Sequence, residues 1–193
     1  MTATKHNYTI RDKRQMRALA ASTRQEIVDV MPRLGTVSVA ELAAALGRPA
    51  DSLYYHLRVL KRVGLVFSAG VRSVNGRPEA LFRAVASEMV LQYKLGKNGN
   101  GNEINPIISS MLRLGTRDFK RSFRAGEAAV SGPRRELWAL RKTGWLSPKQ
   151  IAEMNSHLHR LMEIAGASRH GEKLYAFTVL LTPLDRKSIK RAS

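Results

Sequence analysis

The sequence of 193 residues contains no cysteine, and its 15 acidic residues are outnumbered by 33 lysines and arginines. Without cysteine, the chain has no disulfide framework and no thiolate metal site. No apolar run approaches the roughly 20 residues that span a bilayer, and the first residues, MTATKHNYTIRDKR, lack the apolar segment of a secretory signal. These absences predict a cytoplasmic protein with no membrane partner.

The shortage of acidic residues leaves a net charge of +18 at neutral pH. A chain with this charge repels itself unless it binds a polyanion, and nucleic acid is the commonest polyanion. A basic composition inherited from an arginine-rich genome is the alternative explanation. The apolar fraction of 44% is ordinary for a globular protein, and the length permits one large domain or two small ones.

Signatures of the common enzyme classes are also missing. The sequence has no P-loop, GxSxG or HExxH motif, and no paired glycines that follow a strand. Its carboxylates form no clustered pair for general acid–base catalysis. His157 and His159 are two residues apart, so a helix would point them to different sides. We therefore expect no catalytic activity, no cofactor and no bound metal.

Residues 38–65, SVAELAAALGRPADSLYYHLRVLKRVGL, are the most informative segment. Ser38 and Glu41 have the spacing of a capping box, and Gly47 ends the helix that this box begins. Pro49 is suited to the start of a second helix, which ends at a glycine. The pattern predicts two short helices joined by a tight turn, as in the helix-turn-helix that enters the major groove of DNA.

The second of these helices, predicted over residues 51–63, has one apolar face and one polar face. At about 100° per residue, Leu53, Leu57 and Leu60 fall together, with His56 at the margin. Arginine can hold guanine with two hydrogen bonds, and tyrosine and serine hydroxyls suit phosphates or base edges. The candidate DNA-binding residues of this helix are Ser52, Tyr54, Tyr55, Arg58, Lys61 and Arg62. The alternative is an ordinary solvated helix surface.

The flanking sequence fits the same arrangement. Residues 12–21 and 23–34 have apolar positions at helical spacing. After the second helix, two short apolar runs at 65–67 and 80–82 enclose an Asn-Gly pair, which is a strong hairpin signal. The hairpin would form a wing, with Arg72 and Arg77 near its tip as further DNA-binding candidates.

The segments ALAASTRQEIVDVM, VAELAAALGRPADSLYYHLRVLKRVGLV and GRPEALFRA together resemble the ArsR-like winged helix-turn-helix repressors over roughly residues 14–86. The resemblance implies a bacterial or archaeal transcription factor that binds duplex DNA as a homodimer. Its recognition helix would lie in the major groove, and its wing near the backbone or minor groove. By position, Ser52, Tyr54, Tyr55 and Arg58 would face the groove. The sequence departs from the metal-sensing members, because it has no cysteine.

Beyond the resemblance, we divide the chain into a winged helix-turn-helix domain over 1–92, a glycine- and asparagine-rich linker or loop over 93–105, and a mostly helical region over 106–193. We expect helices at 106–124, 133–142 and 147–164, and one strand near 174–182. This region would dimerise the protein, or else close a separate monomeric core. A small-molecule effector could bind among Trp138, Trp145, Tyr175 and Phe177.

The predicted fold class is mainly α with a small β wing. The predicted function is that of a sequence-specific, dimeric, nucleoid-associated transcriptional repressor that reads duplex DNA with helix 51–63. Two other functions remain open on the sequence. One is a sequence-indifferent architectural or nucleoid protein, and the other is an interaction module that holds an acidic protein partner.

Overall fold

A computed structural model describes residues 5–167 and 173–184. The chain divides into two compact units after Trp145. The elements in chain order are β1 (Lys5–Ile10), α1 (Lys13–Leu19), α2 (Ser22–Leu34), β2 (Val37–Ser38), α3 (Val39–Leu46), α4 (Ala50–Arg62), β3 (Val66–Val74), β4 (Arg77–Ala84), β5 (Ala86–Leu91), α5 (Gly101–Ala125) and α6 (Pro148–Gly166).

The first unit is built around one apolar core to which helices α1–α5 all contribute. Met16 of α1, Met31 of α2, Leu42 of α3 and Leu53 of α4 are fully buried. Ile107 of α5 is 1% exposed. Each helix is amphipathic, and burial of its apolar face stabilises it where a short isolated helix would be marginal.

The predicted wing is present as the antiparallel pair β3–β4, and β2 adds a third strand in the order β2-β4-β3. Asn75 and Gly76 form the turn with φ of 51° and 75°, the left-handed values that a two-residue hairpin turn requires. The strands are longer than the two short apolar runs predicted from the sequence. Val74 pairs with Arg77 next to the turn, and Val66 pairs with Ala84 at the base.

A two-stranded parallel sheet, β1–β5, was not predicted. Its register runs from Lys5 opposite Ala86 to Ile10 opposite Leu91, and Ile10 is 1% exposed. In the sequence, β1 precedes the helix-turn-helix and β5 follows the wing. Local pattern cannot reveal such a pairing, because it depends on residues far apart in sequence.

The segment 93–105, predicted as a linker or loop, is attached to the first unit, and α5 begins within it. The buried side chain of Asn100 accepts a hydrogen bond from the Lys94 backbone at 2.9 Å and donates one to the Gln92 carbonyl at 2.7 Å. Ile104 and Ile107 then pack in the core. The observed boundary between units therefore lies after Trp145, whereas the sequence placed it within 93–105.

The helix predicted over 133–142 is absent. Glu136 instead closes a turn with Ala129: its backbone N–H donates to the Ala129 carbonyl at 2.7 Å, and its carboxylate accepts from the Ala129 N–H at 2.9 Å. Trp138 and Leu140 are 64% and 80% exposed. A helix this short needs a buried face, and this segment has none.

The second unit contains the predicted helix α6, which begins with a capping box between Ser147 and Gln150. No residue of α6 is buried. Residues 173–184 carry neither helix nor strand, so the strand predicted near 174–182 is not observed within this chain. Across the described residues, helices predominate and the wing forms a small antiparallel sheet, which confirms the predicted fold class. None of the described helices has the length and apolar character of a membrane span.

Candidate nucleic-acid interface

The turn between α3 and α4 is fixed by local hydrogen bonds and one glycine. At the start of α3, the Glu41 N–H donates to Ser38 Oγ at 3.2 Å, and the Ser38 N–H donates to the Glu41 carboxylate at 2.8 Å. Gly47 ends α3 in the left-handed conformation, with φ 61° and ψ 41°. Pro49 then caps α4 in an extended conformation. The predicted capping box, glycine and proline therefore occupy their expected places.

Helix α4 is fixed by its leucines and presents a polar face to solvent. Leu53, Leu57 and Leu60 are 0%, 2% and 0% exposed, whereas Tyr54 and Tyr55 are 53% and 61% exposed. The exposed positions on α4 include all six candidates: Ser52, Tyr54, Tyr55, Arg58, Lys61 and Arg62. The predicted division of the helix into a core face and a solvent face is confirmed.

Two of the six candidates are already hydrogen-bonded within the protein. Ser52 Oγ donates to the Pro49 carbonyl at 2.7 Å, in the first turn of α4. The Lys61 ammonium donates to Ser68 Oγ on β3 at 2.7 Å, which joins α4 to the wing. By contrast, neither Arg58 nor Arg62 forms an ion pair with any residue that the structure describes. Their guanidinium groups are the more available ones for an external anion.

The two wing candidates differ in their surroundings. The Arg72 guanidinium lies 2.8 Å from a Glu41 carboxylate oxygen and 2.7 Å from one of Glu79. Hydrogen bonds with Glu41 and Glu79 raise the pKa of Arg72 above its ordinary value. Arg77, next to the turn, is exposed. Arg72 therefore joins the wing to α3, a role that the sequence did not predict because the spacing of Glu41 from Ser38 indicated only a capping box.

His56 lies at the core edge of α4, as its position predicted. Its Nδ1 is buried and has no hydrogen-bond partner among the described residues. Burial is the main cause that lowers the pKa of His56, and the nearby charges of Arg24 and Arg48 lower it further. The lowered pKa favours the neutral imidazole over the imidazolium.

A buried carboxylate connects the helix-turn-helix to α5. Glu26 of α2 is 9% exposed and pairs with Arg48, in the turn between α3 and α4, at 2.8 Å. The other Glu26 oxygen accepts from Arg117 of α5. Burial by itself would raise the pKa of Glu26, but the hydrogen bonds from Arg117 and Arg48 outweigh it and leave this pKa below its ordinary value. The network could not be predicted from local sequence patterns, because these residues are far apart along the chain.

The structure gives little support for a metal or effector site. Within residues 5–167 and 173–184, no three histidine, aspartate or glutamate side chains come together as metal ligands would. The four aromatic residues suggested for an effector pocket are largely exposed: Trp138 64%, Trp145 69%, Tyr175 59% and Phe177 48%. The exposure of these four side chains therefore gives no evidence for an effector pocket among them.

Comparison with known families agrees with this geometry. Residues 19–66 match a family described as a helix-turn-helix domain, a range that contains the whole of α2, α3 and α4. No curated protein matches the chain. The chain therefore contains a helix-turn-helix DNA-binding domain, which makes it a DNA-binding regulator in general terms.

Proposed function

We propose that this protein is an ArsR-like, sequence-specific transcriptional repressor that reads the major groove of duplex DNA with α4. The observation that carries the proposal is the packing of one face of that helix against the core, with the other face left in solvent. Three leucines with at most 2% exposure hold α4 on the core, while Tyr55, Arg58 and Arg62 point to solvent. A rigid helix with hydroxyl and guanidinium groups on its free face has the chemistry of base readout.

The roles we assign follow from what each side chain already contacts. Arg58, which lies mid-helix and has no carboxylate partner in the described structure, would hold guanine through O6 and N7. Tyr54 and Tyr55 would contact phosphates or base edges through their hydroxyls. Ser52, whose own proton is donated to a carbonyl, would act only as an acceptor. Arg62 would neutralise a phosphate at the end of the helix.

The wing and the end of α4 would position the protein on the DNA backbone. Lys61, hydrogen-bonded to Ser68, places a positive charge where α4 meets β3. Arg77 would contact a phosphate or the minor groove from the exposed end of the wing. Arg72 would act mainly by holding the wing, because two carboxylates already balance its charge.

We further propose that the protein acts as a homodimer, since a palindromic operator presents two related half-sites to two copies. The described chain leaves apolar side chains exposed after residue 110, among them Leu112 at 45%, Phe123 at 66% and Trp145 at 69%. Such residues do not close a monomeric core. They are suited to an interface between protomers.

Arg58→Ala tests the assignment of base readout. The variant should lose about 1–3 kcal/mol of binding free energy on a preferred duplex, with a much smaller loss on random duplex, measured by fluorescence anisotropy at fixed salt. Arg77→Ala is the matched control, because removal of a phosphate contact weakens binding to both duplexes alike. A ratio of preferred to random affinity that is the same in Arg58→Ala as in the unaltered protein would refute the role of Arg58.

A sequence-indifferent architectural protein is the second candidate, and the net charge of +18 favours it. Footprinting separates the two functions. A protected palindrome supports the regulator, whereas uniform protection along the duplex supports the architectural protein.

A further inference from the structure

Most of the large apolar side chains that the structure describes in the second unit are exposed. Helix α6 buries none of its residues, although its apolar positions recur at helical spacing. Between residues 146 and 184, large apolar side chains from 38% to 61% exposed are Leu146, Met154, Leu161, Met162, Ile164, Leu174, Tyr175, Phe177, Val179, Leu180, Leu181 and Leu184. A surface of this composition is typical of an interface and not of a monomer exposed to water.

Residues 174–182, LYAFTVLLT, have the composition and alternation of a strand. The segment contains no charged residue, glycine or proline, and it is rich in aromatic and aliphatic side chains. In a strand, Tyr175, Phe177, Val179 and Leu181 would share one face, which would be apolar throughout. Yet the backbone here belongs to no sheet in the described chain.

We propose that residues 174–182 pair with the same residues of a second copy as an antiparallel two-stranded ribbon centred on Thr178. The proposal rests on the proposed dimeric regulator and specifies how its protomers meet. In this register Phe177 lies opposite Val179 of the second copy, and Tyr175 lies opposite Leu181. Pairs of an aromatic with a β-branched residue, such as Phe177 with Val179, stabilise antiparallel strands. The apolar stripe of α6 would cover the apolar face of the ribbon.

A second copy is the occupant that the chemistry favours. The segment is neutral, so it offers no charge to select DNA or an acidic protein, whereas its register with itself places apolar residues opposite apolar residues. Pro183 prevents extension of the pairing beyond its end. At roughly 100 Å² for each half-exposed large side chain, the exposed residues of this segment, of α6 and of their flanks together amount to on the order of 1,000 Å², so the interface would include α6 as well as the ribbon. A stable interface needs about 800 Å² from each partner.

The absence of cysteine allows a direct test by disulfide cross-linking of single-cysteine variants of the full chain. With the two-fold axis at Thr178, the two Thr178 Cα atoms lie about 4.5–5.5 Å apart, within the span of a disulfide. Ala176 would lie opposite Leu180 of the second copy, so the two Ala176 Cα atoms would be separated by four residues along the strand, about 13 Å. Under mild oxidation, Thr178→Cys should therefore form a covalent dimer, and Ala176→Cys should not.

A mixed sample adds a second register check. Ala176→Cys mixed with Leu180→Cys should give the covalent heterodimer, since these residues are opposite each other in the proposed pairing. Thr178→Cys combined with Val179→Pro should cross-link at least about tenfold more slowly, because proline disrupts strand pairing. The apolar core of the first unit contains neither residue, so far-UV circular dichroism should show that its helices persist.

The outcomes separate the inference from the proposed function. Equal cross-linking of Thr178→Cys and Ala176→Cys overturns the strand pairing. A dimer in sedimentation that gives neither cross-link also overturns it, and leaves the dimeric regulator standing. The predicted cross-links in a protein that binds all duplexes equally support the pairing and contradict sequence-specific regulation.

Discussion

Replacement of Glu26 by glutamine should destabilise the first unit, because Glu26 is the only carboxylate seen in the described structure to hold both Arg48 and Arg117. Its side chain is 11% exposed, and the two arginine side chains are 28% and 38% exposed. Glutamine keeps the shape and one acceptor but removes the charge. Arg48 would then have no counter-ion among the described residues, and Arg117 would keep only Asp118, at 2.7 Å.

The exposure of the three side chains sets the size of the effect. Removal of one partner from a fully buried ion pair costs about 3–5 kcal/mol, and from an exposed pair about 0–1 kcal/mol. The Glu26 network lies between these limits, with a buried carboxylate and arginines that are partly solvated. We expect Glu26→Gln to lower the free energy of unfolding by about 2 kcal/mol at pH 7.

The effect should depend on pH in one direction. The folded-state pKa of Glu26 lies below its ordinary value of 4.5, so the folded protein favours the ionised carboxylate. Its contribution to stability is fully present above the unfolded pKa and is lost as the pH falls through the folded pKa. The difference between the unaltered protein and Glu26→Gln should therefore be constant near neutrality and shrink below about pH 4.5.

Urea unfolding followed by far-UV circular dichroism measures both quantities. Glu163→Gln is the matched control, since Glu163 pairs with Arg160 at 2.9 Å on α6 but both side chains are about two-thirds exposed, at 66% and 69%. It should change the free energy of unfolding by less than about 0.5 kcal/mol. If the two glutamine variants are equally stable at pH 7, the structural role assigned to Glu26 is wrong.

The remaining predictions concern the wing and the packing of α4 against the core. Arg77→Ala should reduce the slope of log affinity against log salt by about one. Arg72→Ala should reduce this slope less, because Glu41 and Glu79 already balance the charge of Arg72. Anisotropy titrations between about 50 and 200 mM salt measure the slopes, and equal slopes for the two variants would contradict this distinction. Leu57→Ala should lower the free energy of unfolding by about 2–5 kcal/mol. Leu95→Ala is the control, because Leu95 is 95% exposed, and it should lower this free energy by less than about 0.5 kcal/mol. Equal losses for the two variants in urea unfolding would contradict the burial of Leu57.

The helix-turn-helix could be predicted because its determinants are local. The capping box at Ser38, the left-handed Gly47 and the leucine spacing of α4 each act over one or two turns of chain. The Asn75–Gly76 turn of the wing is equally local. The structure confirms these elements with small shifts of their ends.

The missed features depend on partners far away in sequence. The β1–β5 pairing and the contact of Glu26 with Arg117 join residues that no local pattern connects. The predicted helix begins at Pro106, but α5 begins at Gly101, and the buried Ile104 lies in the part before the proline. The expected helix over 133–142 failed for the opposite reason, since no surface in the described chain covers Trp138.

The candidate site was predictable in part. The exposure of Tyr55, Arg58 and Arg62 follows from helical geometry and is confirmed. Their contacts with DNA stay predictions. The engagement of Arg72 by two carboxylates could not be anticipated, because Glu41 and Arg72 are far apart in sequence.

Selection of bound sequences from random duplexes by the full chain, at about 100 mM salt, tests sequence-specific readout by α4 most directly. The account predicts enrichment of an inverted repeat with half-site centres about one helical turn, or a multiple of it, apart. It also predicts that Arg58→Ala relaxes the selected sequence at one guanine in each half-site. Recovery of all sequences in equal proportion would contradict the account.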